Sequence, residues 1–184
     1  MSLNKFNLLT KKKLFYLNRS ITGKDTKKTL NIIKKNLPEL KIKHIKSGSK
    51  VFDWKIPDEW NVRKAFILDK NGKKIVDFIN NNLHLVGYSK PIKKKIKKKN
   101  LLKKIYSIPS LPQAIPYKTS YYKKDWGFCV SENQKKKIIK EYKFDDSFFI
   151  NIDSDYNKKG NLHYGELVLK GKTDVELIVS TYIC

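Results

Sequence analysis

Glu176-Leu177-Ile178-Val179-Ser180-Thr181-Tyr182-Ile183-Cys184 is the stretch whose reading decides the fold. It is nearly continuous in apolar and β-branched residues, and Gly171 and Asp174 stand just before it. That pattern predicts a strand buried on both faces, and such strands sit at the centre of α/β sheets. In open α/β sheets, ligands bind outside the carboxyl ends of the strands. The carboxyl end of this strand is also where the 184 residues stop, so a site is expected to begin where the sequence ends.

Outward from that stretch, the pattern predicts further strands at Leu162 to Lys170 and Ser147 to Ile152, with Asp155 to Asn161 as the turn between them. Trp126 to Val130 reads as another strand. Ser131 and Gln134 after it form a capping box that opens a short basic helix through Ile138 and Ile139. Ile108 to Tyr117 contains Pro109, Pro112 and Pro116, so it predicts a rigid extended connector. Pro109 and Pro112 also fit a PxxP ligand, but the tract is short and apolar. The block Lys93 to Lys99 leads into a helix through Leu101, Leu102 and Ile105, and reads as a solvated helix face or loop rather than an anion site.

Further back, Val51 to Ile56, Ala65 to Leu68, Lys74 to Phe78 and Leu83 to Tyr88 read as strands. Asn71-Gly72 joins the second and third as a hairpin in which both residues would take positive φ. Residues 3 to 17 carry helical periodicity, which Asn18 to Gly23 breaks. Asp25 or Thr26 can cap a second helix whose face is Leu30, Ile33 and Leu37 and which Pro38 closes. Lys41 to Lys46 is a short strand. The fold class is therefore α/β, more strictly α+β within these residues. The expected organisation is helices over 1–48, a β-rich insert over 49–145, and strands over 146–184.

A 40% apolar, 12% aromatic composition is that of a folded chain. No run of 18 apolar residues and no signal-peptide core is present. Cys129 and Cys184 do not make a disulfide framework, which points to a cytoplasmic protein. The net charge of +24 suggests nucleic acid, but Arg19 and Arg63 are the two arginines and the other 39 basic residues are lysine. Readers of phosphate and bases favour the arginine fork. Abundant Lys, Asn and Ile instead suggest an AT-rich coding bias. Nucleic-acid binding is accordingly expected to be weak and blind to sequence, from a lysine surface without an exposed aromatic platform.

Candidate chemical groups are few. Asp153-Ser154-Asp155-Tyr156-Asn157 begins like a calcium loop, but Lys158 stands where glycine is required and Tyr164 where a bidentate glutamate is required. A turn is the better reading. His44, His84 and His163 each lack a second ligand at helical spacing. Cys129 lies in an apolar run and reads as core. No GxSxG, phosphate-binding glycine loop or dinucleotide fingerprint occurs.

Several stretches nevertheless carry a resemblance in one order: Tyr16-Leu17-Asn18-Arg19-Ser20-Ile21-Thr22-Gly23, Val51-Phe52-Asp53-Trp54, Ala114-Ile115-Pro116-Tyr117 with Thr119-Ser120-Tyr121-Tyr122, Trp126-Gly127-Phe128-Cys129, and Tyr164-Gly165-Glu166-Leu167. Together they resemble a bacterial aminopeptidase-like family with an inserted domain of unknown function, often encoded among polysaccharide-biosynthesis genes. The resemblance spans Leu14 to Cys184. It implies a zinc-dependent exopeptidase fold whose mixed sheet is interrupted by the insert. It also implies that a His-Pro-Ser turn, carrying the first zinc ligand, would follow the strand Ser180 to Cys184, with the other ligands and the general-base glutamate later still.

No catalytic, cofactor-binding or metal residue is therefore carried onto this sequence, and zinc is expected only of a full-length member. Three functions remain in competition. The first is the N-terminal part of an aminopeptidase-like protein, inactive alone. The second is a lysine-rich binding module for anionic polymers, nucleic acid or polysaccharide. The third is an insert domain acting as an interaction surface. Expected partners are the missing half or a second copy, with no specific nucleic acid and no membrane.

Overall fold

The computed structural model describes residues 3–183, which form two compact units. One comprises residues up to Trp60 together with Tyr156 onward. The other is Asn61–Asp155. The chain passes between them inside two strands, β4 (Glu59–Leu68) and β9 (Ser147–Asn157). Sequence reading instead draws its boundaries in the breaks near residues 48 and 145.

In the first unit, helix α1 (Leu3–Leu9) runs into a π-helical turn, Thr10–Leu14, so the helix expected to Leu17 is shorter and changes its winding. Helix α2 is Lys24–Lys34. Its N-cap is Gly23 at φ 117°, with no side-chain cap. The expected cappers act elsewhere: Asp25 accepts from the Asn18 N–H (3.0 Å), and the Thr26 hydroxyl donates to the Ser20 carbonyl (2.6 Å). Both fasten the preceding loop to the helix. Buried Thr22 accepts from the Trp60 N–H (3.1 Å) and donates to the Asp58 carbonyl (3.2 Å).

Strand β1 (Lys41–Lys46) pairs antiparallel with β10 (Asn161–Glu166), from Lys41 opposite Glu166 to Lys46 opposite Asn161. Leu30 of α2 and Leu40 close over Gly165, where a Cβ would stand 3.0–3.1 Å from both side chains. Only glycine admits so close an approach without repacking. Val51 to Ile56 is not one strand. It is a hairpin of β2 (Lys50–Val51) and β3 (Trp54–Lys55), turning at Phe52, which has φ 53° and is 93% exposed.

The second unit is built on a four-stranded antiparallel sheet in the order β5 (Lys74–Asp77), β4, β9, β6 (Ile92–Lys97). Ala65, Ile67, Val76, Phe148, Ile150 and Ile152 bury its inner face. The β4–β5 hairpin does not put both Asn71 and Gly72 at positive φ. Only Gly72 is there (φ 80°), because Asp69 caps the loop by accepting from the N–H groups of Asn71 and Lys73, both at 2.9 Å.

The lysine block is likewise strand rather than helix up to Lys97: β6 pairs with β9, which holds its lysines extended with Lys93, Lys94 and Lys95 exposed. Helix α3 (Lys98–Leu102) follows. Lys98 is buried, and its ammonium donates to the carbonyls of Ile139 (2.6 Å) and Tyr142 at the end of helix α4 (Glu132–Glu141). That satisfies last-turn carbonyls with a favourable charge. The capping box at the other end of α4 is present: the Gln134 N–H donates to the Ser131 hydroxyl (3.1 Å) and the Ser131 N–H to the Gln134 side chain (2.9 Å).

Three further expectations are corrected. Leu83 to Tyr88 is not a strand. It contains one 3₁₀ turn, Asn82–His84, fixed by the Leu83 N–H donating to Asn81 Oδ1 (3.0 Å). Asp153 to Asn157 is not a turn, because alternate burial of Ile150, Ile152 and Ser154 carries β9 through to Asn157. The turn expected over Asp155 to Asn161 is confined to the residues after it, at Lys158 and Lys159. Finally, Glu176–Ile183 forms no strand, and Leu177, Ile178 and Val179 are more than 80% exposed. Apolar β-branched residues make a strand only where a neighbouring strand supplies ladder bonds and a layer covers the side chains. Among the described residues nothing does so for this segment. Cys184 lies outside them.

Candidate functional site

The segment after the Pro-rich connector, from Lys118 to Trp126, lines a cleft of the second unit. Strand β7 (Ile105–Tyr106) pairs parallel with β8 (Phe128–Cys129), bringing Tyr106 opposite Cys129. The connector between them is pinned at Gly87, whose N–H donates to the Lys118 carbonyl (2.8 Å) and whose carbonyl accepts from the Ser120 N–H (2.9 Å). The Lys90 N–H donates to the Asp125 carbonyl (2.9 Å). Between these points lies a cleft of ≈ 510 Å³, with walls from Tyr106, Lys118, Thr119, Tyr121, Tyr122 and Trp126.

A strained turn supports that wall. Tyr88 takes φ 63°, a left-handed conformation costly for a bulky residue. It is held there by burial and by Ser89, whose hydroxyl donates to the Val86 carbonyl (2.6 Å) and accepts from the Gly127 N–H (3.3 Å). The Tyr88 ring meets Tyr121 edge-on at 4.9 Å and 86°. Tyr121 in turn shares a hydroxyl contact with Tyr117 (3.1 Å) and stands at 79° to Tyr122. Gly127 leaves room for Tyr106: a Cβ there would lie 2.7 Å from the tyrosine ring and 3.1 Å from the Lys104 carbonyl.

The polar groups are distributed unevenly. Lys104 reaches Asp125 at 2.6 and 2.8 Å, and that bond outweighs burial to hold the Asp125 carboxyl below the usual carboxylate range. The Lys118 ammonium lies over the Tyr106 ring, 4.4 Å from its centroid, a cation–π contact. Among the described residues, neither Lys118 nor Lys123 has a carboxylate partner. The Thr119 hydroxyl is buried with no hydrogen-bond partner. Tyr122 and Tyr117 are 78% and 57% exposed, so exposed aromatic surface exists where sequence reading expected none.

The groups weighed from the sequence are dispersed. Arg63 forks between Asp153 (2.8 Å from Nε) and Asp155, so those carboxylates serve an arginine rather than a calcium loop. The pairing with Arg63, opposed by burial, holds the Asp153 carboxyl low. His84 is buried with Nδ1 2.7 Å from the Cys129 carbonyl. His44 and His163 face each other across β1 and β10 at 6.1 Å between rings, and burial first, then Lys27, lowers the His163 pKa. Burial pushes the Cys129 thiol up to about 11, which leaves it protonated at neutral pH. No group of three or more His, Cys, Asp or Glu among the described residues is placed to hold a metal. The cleft was missed in the sequence; its one signal was the crowding of five aromatics between Tyr117 and Phe128.

Comparison with known proteins bears on the whole chain. It is 40% identical over 179 residues, 97% of its length, to a Clostridium acetobutylicum protein named for polysaccharide biosynthesis and an aminopeptidase-like domain. A crystal structure of a C. acetobutylicum protein named as a peptidase matches 88% of the chain at 41% identity, with a TM-score of 0.78. The chain spans 39% of the first relative's length and 36% of the second's. The model of a domain of unknown function, DUF2172, matches residues 59–155, nearly the extent of the second unit and more than half of the sequence. The chain belongs to the DUF2172 family.

Proposed function

We propose that this chain contributes to a zinc-dependent aminopeptidase-like protein and that its 184 residues do not themselves carry the hydrolytic chemistry. The observation that supports this reading is the likeness to the peptidase-named structure, at 41% identity and a TM-score of 0.78 over 88% of the chain. Zinc, when bound in such a protein, acidifies a water molecule. The described residues do not fit the ion: His44 and His163 form a pair without a third ligand, and His84 is turned into the core. The remaining portion of a relative, or a second copy, is the partner of this reading, and the exposed Leu177, Ile178 and Val179 are apolar surface such a partner could cover. A cytoplasmic location goes with the same reading. Its support is a buried free Cys129 and the absence, among the described residues, of a helix long and apolar enough to cross a membrane.

Hydrolysis of leucine p-nitroanilide tests it. The chain alone with zinc is expected to release no nitroaniline, and the chain fused to the remaining portion of the C. acetobutylicum relative is expected to do so. Zinc-dependent turnover by the 184 residues alone would overturn the proposal.

A second reading, a binding module for anionic polymers, is supported by the cleft itself, where Lys118 and Lys123 stand beside aromatic rings.

A further inference from the structure

We infer that the cleft of the second unit binds a pyranosyl unit of an acidic glycan, an assignment that rests on the binding-module reading and not on the peptidase one. Its volume, ≈ 510 Å³, lies within the range of small-ligand sites, about 300–1,000 Å³. Its walls combine the two surfaces a sugar ring presents. Tyr121 and Tyr122 line it with aromatic surface, whose negative quadrupoles attract the slightly positive C–H groups of a pyranose. The Thr119 hydroxyl is buried and unpartnered, and a sugar hydroxyl entering the cleft supplies the partner it lacks.

Charge selects the kind of sugar. Lys118 and Lys123 line the cleft without ion-pair partners among the described residues. The carboxylate of Asp125, which also lines it, is neutralised by Lys104 at 2.6 Å. The net demand is for an anion, which a uronic acid carboxylate meets.

Ring geometry disfavours the other anionic polymer. Single-stranded nucleic acid binds by stacking successive flat bases on aromatic faces. Here the two adjacent tyrosines of the cleft wall, Tyr121 and Tyr122, stand nearly perpendicular, at 79°. Tyr121 and Tyr122 therefore do not present parallel faces to successive stacked bases.

Calorimetric titration of the full chain with tetragalacturonate, cellotetraose and an eight-residue thymidine oligonucleotide tests the assignment. Tetragalacturonate is expected to bind, cellotetraose at least tenfold more weakly. Tyr122→Ala, in a side chain 78% exposed and so removable without loss of fold, is expected to weaken tetragalacturonate binding at least tenfold. Lys118→Met is expected to erase most of the preference over cellotetraose. Binding of the oligonucleotide in place of the glycans would overturn the inference and leave the binding-module reading standing. Binding of none of the three would overturn both. Glycan binding indifferent to Tyr122→Ala would place the ligand elsewhere and overturn the inference as well.

Discussion

Asp69 shows how much one side chain can organise. Its Oδ1 accepts from the N–H groups of Asn71 and Lys73, both at 2.9 Å, and its Oδ2 accepts from the Tyr142 hydroxyl at 3.0 Å. It thereby closes the β4–β5 loop and ties it to the residue that follows α4. Burial works to raise the Asp69 pKa, but the three hydrogen bonds outweigh it and the pKa falls below the usual carboxylate value. Burial first, and then the bond to Asp69, pushes the Tyr142 hydroxyl up to about 12. A carboxyl with a lowered folded pKa stabilises the fold above its unfolded pKa and ceases to do so as pH falls through the folded one. Asp69→Ala leaves two N–H groups and a phenol without their acceptor, and should cost about 1–3 kcal/mol at neutral pH. Urea denaturation of both proteins at pH 7 and at pH 2.5 checks this. The gap in midpoint should narrow towards acid, as pH approaches the lowered pKa of the folded carboxyl, and a gap equal at both pH values would refute the electrostatic part of the argument.

At the scale of elements, legibility followed the range of the interactions. The capping box at Ser131 and Gln134 was readable because it is decided by a few adjacent residues. The lysine block was misread because β6 is a strand by virtue of β9, more than fifty residues away. Asp153 and Asp155 resembled a turn or an ion loop for the same reason, their partner being Arg63. The cleft was invisible because it needs Gly87 to pin Lys118 and Ser120, and Gly127 to admit Tyr106, contacts that no spacing in the sequence encodes. The clearest lesson is Glu176–Ile183, where strand-forming residues form no strand. Exposed chain without ladder bonds is where proteases cut first. Limited trypsin digestion should therefore cleave after Lys170 or Lys172, both exposed and outside regular structure, before any lysine of β6. Mass spectrometry of the early fragments reads this directly, and first cuts within Lys93 to Lys97 would contradict the described fold.

For the molecule as a whole, family and chemistry part company. The chain belongs to the DUF2172 family and is similar over nearly all of its length to proteins named for peptidase-like domains. Among the described residues, His84 is nevertheless committed to a core carbonyl, Cys129 to the core, Asp153 and Asp155 to Arg63, and Asp125 to Lys104. What its second unit offers is an aromatic, lysine-bearing cleft suited to recognition. The proposal that these residues recognise a ligand and leave hydrolysis to other parts of such a protein is tested most directly by metal stoichiometry. The purified 184-residue chain, equilibrated with zinc and then freed of loosely bound ion by gel filtration, should retain far less than one zinc per chain. One or two tightly held zinc ions per chain would contradict the account.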